Sequence, residues 1–179
     1  MLTSALFTLA LALAATGLAL PSPQTTGGAV PEGYKKVIIT SNVNVKFVVV
    51  AKTPVKAGST LVVQTRTDKP DQHWLLKDGV TKIQLANTTL CMDAGAKTAW
   101  KDMAAISLAE CSDTAPGQQW NVMTDGRIAL EQSPSPKCID LQYMRATANN
   151  PVGLYSCAGL GNTGAADKGI NWPLVSVAP

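Results

Sequence analysis

From residue 35 onwards, short apolar runs alternate with turn-forming residues. Short runs rich in Val, Ile and Leu and bounded by Gly, Pro, Asn and Asp are typical of β-strands. No segment of this region keeps an apolar stripe of helical period, which argues against long helices. Twelve strands are predicted, in three sets of four: Val37–Ile39, Phe47–Val50, Leu61–Gln64, Trp74–Leu76, Lys82–Leu85, Leu90–Asp93, Ile106–Ala109, Trp120–Met123, Ile128–Glu131, Cys138–Leu141, Val152–Ser156 and Trp172–Val175.

The turns between the sets indicate how the strands are arranged. Asp78-Gly79 and Asp125-Gly126 stand between successive sets, as hairpin turns would. Each set alone would leave unpaired strand edges, and closing the sheet removes them. The pattern therefore predicts an all-β, closed architecture.

A block of residues occurs twice and partly a third time. Cys91-Met92-Asp93 is followed by Cys111 and Gln118-Gln119-Trp120, and the equivalent residues further on are Cys138-Ile139-Asp140, Cys157 and Ile170-Asn171-Trp172. Gln72-His73-Trp74 lies upstream without cysteines. Most equivalent residues are separated by about 46 positions, which indicates one supersecondary unit used three times.

The amino-terminal residues predict secretion. Residues 1–19 include a long uncharged apolar stretch that ends in small residues, as in a signal peptide, and a membrane anchor is the alternative. Residues 20–34 are rich in Pro, Gly and Thr and predict a flexible leader, so residues 35–179 form the domain. Asn87 lies in an N-glycosylation sequon.

The four cysteines of a secreted chain predict two disulfides. Of the three possible pairings, the repeat selects one bond within each unit, Cys91–Cys111 and Cys138–Cys157. Each bond would close a loop of about 20 residues and contribute on the order of 3 kcal/mol.

The order C-x-D, Cys, Q-x-W resembles the ricin B-type β-trefoil lectins, over residues 35–177. The resemblance implies a β-trefoil with three pseudo-threefold repeats of four strands each, in which six strands form a barrel and three hairpins cap it. Trp74, Trp120 and Trp172 would then be core residues around the pseudo-threefold axis.

The resemblance also implies where a sugar would bind. The family uses the Asp of C-x-D, an aromatic residue two positions before the second Cys, a Gln two positions before that aromatic, and an Asn directly before Q-x-W. The third repeat has Asp140 and Tyr155 at the first two positions, with Gly153 and Gly169 at the others. A longer loop follows Cys157, where Asn162 and Asp167 could supply polar contacts. Alternatively, Asp140 fixes a turn and Tyr155 is a half-buried strand residue.

The first two repeats keep less of this pattern. The middle repeat has Asp93 but Ser107, Ala109 and Gly117 at the other positions. Trp100 could lean over Asp93 as a substitute platform, or could simply cover a loop. In the first repeat, Phe47 or a neighbouring valine stands at the Asp position and Val63 at the aromatic position, so no sugar site is expected there.

These residues favour a glycan-binding module over other classes. The net charge of +3 is spread along the chain, which argues against nucleic acid or an anionic membrane as the main partner. His73 is the only histidine and lies inside Q-x-W, so no catalytic site, metal or cofactor is predicted. A trefoil that binds a protein, for example a protease inhibitor, remains the alternative, with Lys52–Val55 and Ser133–Pro136 as candidate loops.

Overall fold

The computed structural model describes residues 30–157 and 166–178. Within these ranges the chain forms strands and four short 3₁₀ turns, without an α-helix. The strands are β1 (Lys35–Ile39), β2 (Phe47–Ala51), β3 (Leu61–Thr65), β4 (Trp74–Leu76), β5 (Gly79–Thr81), β6 (Gln84–Leu85), β7 (Leu90–Asp93), β8 (Ser107–Glu110), β9 (Trp120–Val122), β10 (Ile128–Leu130), β11 (Lys137–Leu141), β12 (Val152–Ser156) and β13 (Leu174–Ser176). The 3₁₀ turns are Pro70–Gln72, Lys97–Ala99, Pro116–Gln118 and Gln142–Met144.

Seven of these strands form a closed ring. β1 pairs with β13 and β4, β4 with β6, β5 with β9, and β9 with β10, all antiparallel. The ring closes where Arg127 bridges Asn171. Of the strand predicted over Lys82–Leu85, only Gln84–Leu85 is formed, as β6, which pairs with β4. β5 precedes it in the chain, was not predicted, and pairs with β9 on the other side. The structure is thus all-β, as predicted, and its ring is the barrel of a β-trefoil.

Three hairpins, β2–β3, β7–β8 and β11–β12, lie outside this ring and contact one another. The Leu61 amide donates to the Ile106 carbonyl at 2.9 Å, and the Leu154 amide donates to the Ala104 carbonyl at 2.8 Å. The third contact is made by the Val63 amide, which donates to the Asn150 carbonyl at 3.0 Å. Each hairpin therefore has a neighbour on either side, which fixes its position over the barrel.

The three repeated tryptophans lie in the core, as predicted, at 0–1% exposure. Each indole Nε1 donates to a carbonyl in the hairpin of its own repeat: Trp74 to Val49 at 3.0 Å, Trp120 to Met92 at 3.1 Å and Trp172 to Ile139 at 2.9 Å. A buried indole N–H needs an acceptor, so these bonds join barrel to hairpin.

Both predicted disulfides are formed, Cys91–Cys111 and Cys138–Cys157, with Cα atoms 5.0 and 4.9 Å apart. The predicted signal peptide lies outside the described residues. Residues 30–34, at the end of the predicted leader, include a turn in which the Tyr34 amide donates to the Pro31 carbonyl at 3.0 Å. Among the helices described, none is long and apolar enough to cross a membrane.

Candidate functional site

The indole bonds define which positions are equivalent in the three repeats. The residue after each carbonyl acceptor is Val50, Asp93 or Asp140, so a valine occupies the Asp position of the first repeat. Two positions before these residues lie Val48, Cys91 and Cys138. Their strand partners are Gln64, Ala109 and Tyr155, respectively. The prediction of Val63 at the aromatic position is therefore wrong: Val63 faces the core, and Gln64 is the equivalent residue. The sequence lacked cysteines there to fix the register.

The first repeat has a cleft in which a valine stands at the Asp position. A cleft of about 370 Å³ includes Val50, Gln64 and Asp71, the equivalents of the Asp, aromatic and Asn positions. Val50 belongs to an apolar cluster with Ile38, Val48 and Val62. The side-chain nitrogen Nε2 of Gln64 donates to Asn149 Oδ1 at 2.7 Å. An apolar side chain at the Asp position cannot accept hydrogen bonds from sugar hydroxyls.

In the middle repeat, both carboxylate oxygens of Asp93 already accept hydrogen bonds from other groups of the protein. Asp93 Oδ1 accepts from the Gly95 amide at 2.6 Å, and Oδ2 accepts from Gln118 Nε2 at 2.9 Å. A Cβ at Gly117 would lie 2.5 Å from Asp93 Oδ1, which shows how closely the carboxylate packs on this glycine. Trp100 Nε1 donates to the Gly95 carbonyl at 3.0 Å, and Trp100 is half-buried against the core. Both residues therefore stabilise the turn at Gly95.

In the third repeat, Asp140 and Tyr155 lie on the outer face of the β11–β12 hairpin. Cys138 pairs with Tyr155 and Asp140 with Gly153, and side chains alternate along strands, so these four residues share a face. Ile139 and Leu154 lie on the opposite face, in the core. Tyr155 packs beside the Cys138–Cys157 disulfide. The hairpin register therefore aligns the predicted carboxylate and aromatic ring.

Asp140 and Tyr155 line one cleft of about 320 Å³. The other lining residues are Met103, Tyr143, Met144 and Asp167. Asp167 was predicted from the sequence, whereas the two methionines and Tyr143 were not. Asn162 lies outside the described residues, and Asn87 is exposed in the turn between β6 and β7. The cleft thus joins residues of the third repeat to Met103 of the middle one.

Asp140 differs from Asp93 because no protein donor satisfies it within the described residues. Its side chain is only 7% exposed. The position of Gln118, which donates to Asp93, is occupied by Ile170 in the third repeat, and isoleucine has no donor. Burial first, and then the negative charges of Asp167 and Asp102, raise the pKa of Asp140 to about 7.

Tyr143 and Met144 form the exposed rim of this cleft, at 74% and 55% exposure. Both residues have left-handed backbone, with φ of 58° and 50°, which is uncommon outside glycine. The Arg145 guanidinium lies over the Tyr143 ring at 5.8 Å from its centroid. The segment contains no Gly, Pro, Asn or Asp to signal such a turn. Its only sequence signal was an aromatic residue three positions after Asp140.

Residues 79–166 match the family model described as the ricin-type beta-trefoil lectin domain. Residues 79–166 belong to this lectin family. The match includes both disulfide-bonded hairpins and the two C-x-D carboxylates. No curated protein sequence is significantly similar to the chain. Membership of the ricin-type family supports a carbohydrate-binding module in general terms.

Solved structures share the trefoil fold of this ricin-type domain. The designed threefold-symmetric protein ThreeFoil is 20% identical, with a TM-score of 0.64 over 82% of this chain and 100% of that chain. The earthworm R-type lectin C-half, in complex with GalNAc, is 17% identical, with a TM-score of 0.61 over 80% of this chain and 99% of that chain. An exo-beta-1,3-galactanase from Clostridium thermocellum is 17% identical, with a TM-score of 0.64 over 83% of this chain and 31% of that chain. At these identities, the likenesses establish the fold.

Proposed function

We propose that this chain is a secreted, non-catalytic carbohydrate-binding module that binds glycans weakly, mainly through the cleft of the third repeat. The observation that carries this proposal is the buried Asp140 carboxylate, which lines a cleft with two tyrosines and lacks a protein donor within the described residues. In the middle repeat, by contrast, protein donors already occupy both oxygens of Asp93. Domain bounds of 35–179 are part of the proposal.

The residue types of the cleft match the two faces of a pyranose ring. Tyr155 or Tyr143 offers an apolar surface for the CH face, and the methionines extend that surface. Asp140 can accept hydrogen bonds from two neighbouring hydroxyls, and bonds to a charged acceptor are the stronger kind. Burying a polar group without a partner is costly, so a sugar that satisfies Asp140 recovers part of that cost. Asp167 would add a second polar contact.

A single good cleft is consistent with weak binding. Lectins gain avidity from several sites on one molecule. Here the first repeat has no carboxylate at the Asp position, and in the middle repeat Asp93 already accepts hydrogen bonds from the protein. We therefore expect no cell agglutination by the monomer. The two disulfides and the predicted signal peptide support secretion.

Tyr155→Ala is expected to weaken glycan binding by about 1–2 kcal/mol, because the stacking surface is lost. Asp140→Ala is expected to abolish detectable binding. The measurement is a glycan array with the oxidised protein, followed by calorimetry with the strongest glycan. Tyr34→Ala is the control, since Tyr34 packs near Lys77 and lies outside the cleft.

The same array tests the proposal as a whole. Loss of binding in both cleft variants, with Tyr34→Ala unchanged, would support it. Binding that survives both substitutions would move the site to another repeat. Silence across the array, from protein shown to be folded, would contradict carbohydrate binding and favour the protein-binding alternative.

Trp100→Leu separates the two interpretations of the middle repeat, because leucine has neither an aromatic face nor a donor. We expect unchanged glycan affinity and a loss of about 0.5–1.5 kcal/mol in the free energy of unfolding, because the bond to the Gly95 carbonyl disappears. Calorimetry and urea denaturation measure the two quantities. A clear loss of affinity with unchanged stability would instead make Trp100 a sugar platform.

A further inference from the structure

The cleft of the third repeat contains two carboxylates that approach each other. A Cβ built on Gly169 would lie 3.0 Å from Asp140 Oδ1 and 3.2 Å from Asp167 Oδ1, so both oxygens converge over this glycine. Asp167 Oδ1 accepts from the Gly169 amide at 2.8 Å. Asp140, at 7% exposure, has no donor within the described residues. Two carboxylates therefore share one side of the cleft, and one of them is buried and unpartnered.

No basic side chain of the described residues forms an ion pair with either carboxylate. The neighbouring Asp102 is paired with Lys137, whose Nζ lies 2.6 Å from Asp102 Oδ1. The Arg145 guanidinium lies over the Tyr143 ring, and Lys168 adjoins Asp167 in sequence without pairing with it. Residues 158–165 include no Lys, Arg or His. The negative charge of the cleft is thus left for a ligand to neutralise.

From this arrangement, and resting on the proposed function, we infer that the third-repeat cleft prefers sugars that carry a free amino group, that is, de-N-acetylated hexosamines. An ammonium group has three donors and no acceptor, so it can bond to Asp140 and Asp167 together. The aromatic ring of Tyr155, which lines the same cleft, attracts the same cation. A neutral hexose satisfies Asp140 through hydroxyls but brings no positive charge to the cleft. An N-acetyl group removes the cation and adds bulk.

The test compares matched sugars on the intact, oxidised protein by calorimetry near neutral pH and low salt. Glucosamine and galactosamine oligosaccharides are titrated beside their N-acetylated and neutral counterparts. We expect the amino sugars to bind at least about tenfold more tightly, since hydrogen bonds between charged partners are the stronger class. Asp167→Asn should reduce that preference severalfold, because the affinity for amino sugars falls more than the affinity for neutral sugars.

Two controls separate this preference from general charge effects. Asp113→Asn removes one exposed carboxylate of the middle repeat, paired with Lys82, and should change no affinity. Ethanolamine supplies an ammonium without a sugar ring and should not compete. Competition by ethanolamine, or equal binding of amino and neutral sugars, would overturn the amino-sugar preference while the carbohydrate site stands. Absence of binding by every sugar would overturn both this inference and the proposed function.

Discussion

Asp140→Asn is expected to raise the free energy of unfolding by about 2–4 kcal/mol at pH 8 and to change it little near pH 4. The substitution keeps the shape of the side chain and removes the buried charge. It also removes the anionic acceptor from the cleft, so glycan binding should fall in the same variant. The residue that carries binding would thus be one that destabilises the fold.

The sign of this effect follows from the pKa of Asp140. In the folded protein the pKa is raised to about 7 from an ordinary value of 3.8. Between these values the folded state binds the additional proton, so the contribution of Asp140 to stability is most favourable below pH 3.8 and falls as the pH rises towards 7. Above pH 7 Asp140 is mainly ionised in the folded state, and the cost of desolvating its charge is then largest. Each pKa unit corresponds to about 1.4 kcal/mol.

Urea denaturation of the parent and Asp140→Asn over this pH range measures the difference directly. Asp93→Asn is the matched control at the equivalent position of the middle repeat. There one oxygen accepts a hydrogen bond from Gly95 and the other from Gln118, so the asparagine side chain should destabilise the fold by about 1–3 kcal/mol. Equal effects of the two substitutions at pH 8 would contradict the difference between the two carboxylates.

Trp120→Ala is expected to lower the free energy of unfolding by about 3–5 kcal/mol. The indole is fully buried, and its loss leaves a cavity and deprives the Met92 carbonyl of its donor. Globular domains are stable by only about 5–15 kcal/mol, so this variant would unfold at much lower urea concentrations.

Trp120→Phe provides a second measurement of this contribution in case Trp120→Ala does not fold. It keeps most of the ring volume and removes the bond to Met92, so we expect a smaller loss of about 1–3 kcal/mol. Urea denaturation with the disulfides intact is the measurement for both variants. Losses below about 1 kcal/mol in both would contradict the role of the tryptophans as the join between barrel and hairpins.

The barrel could be predicted from the sequence because repetition constrains it strongly. The recurrence of Trp74, Trp120 and Trp172, 46 and 52 positions apart, identified equivalent core positions, and the cysteines fixed the outer hairpins. The register was wrong by one residue in the first repeat, where Val48 and Arg66 stand at the two cysteine positions and alternation alone does not distinguish Val63 from Gln64. A shift of one residue exchanges the faces of a strand.

The site could be predicted only in part, because whether a carboxylate is free to bind a ligand depends on contacts between segments that are distant in sequence. Asp93 and Asp140 occupy the same place in C-x-D, yet Gln118 satisfies one and Ile170 leaves the other without that donor. That replacement was visible in the sequence, but its consequence needed the distance between the two side chains. Tyr143 was missed because left-handed backbone at a tyrosine has no sequence signature.

The position of the glycan can be measured directly by ¹H–¹⁵N correlation spectra of the oxidised protein, titrated with the glycan that gives the strongest array signal. We expect the largest shifts at the amides of Asp140, Tyr143, Tyr155 and Gly169, with small shifts at Gly95 and Gln64. Largest shifts at Gly95 and Gly117 would place the sugar in the middle repeat, and largest shifts at Gln64 and Asp71 would place it in the first. Either pattern would contradict a binding site built around Asp140.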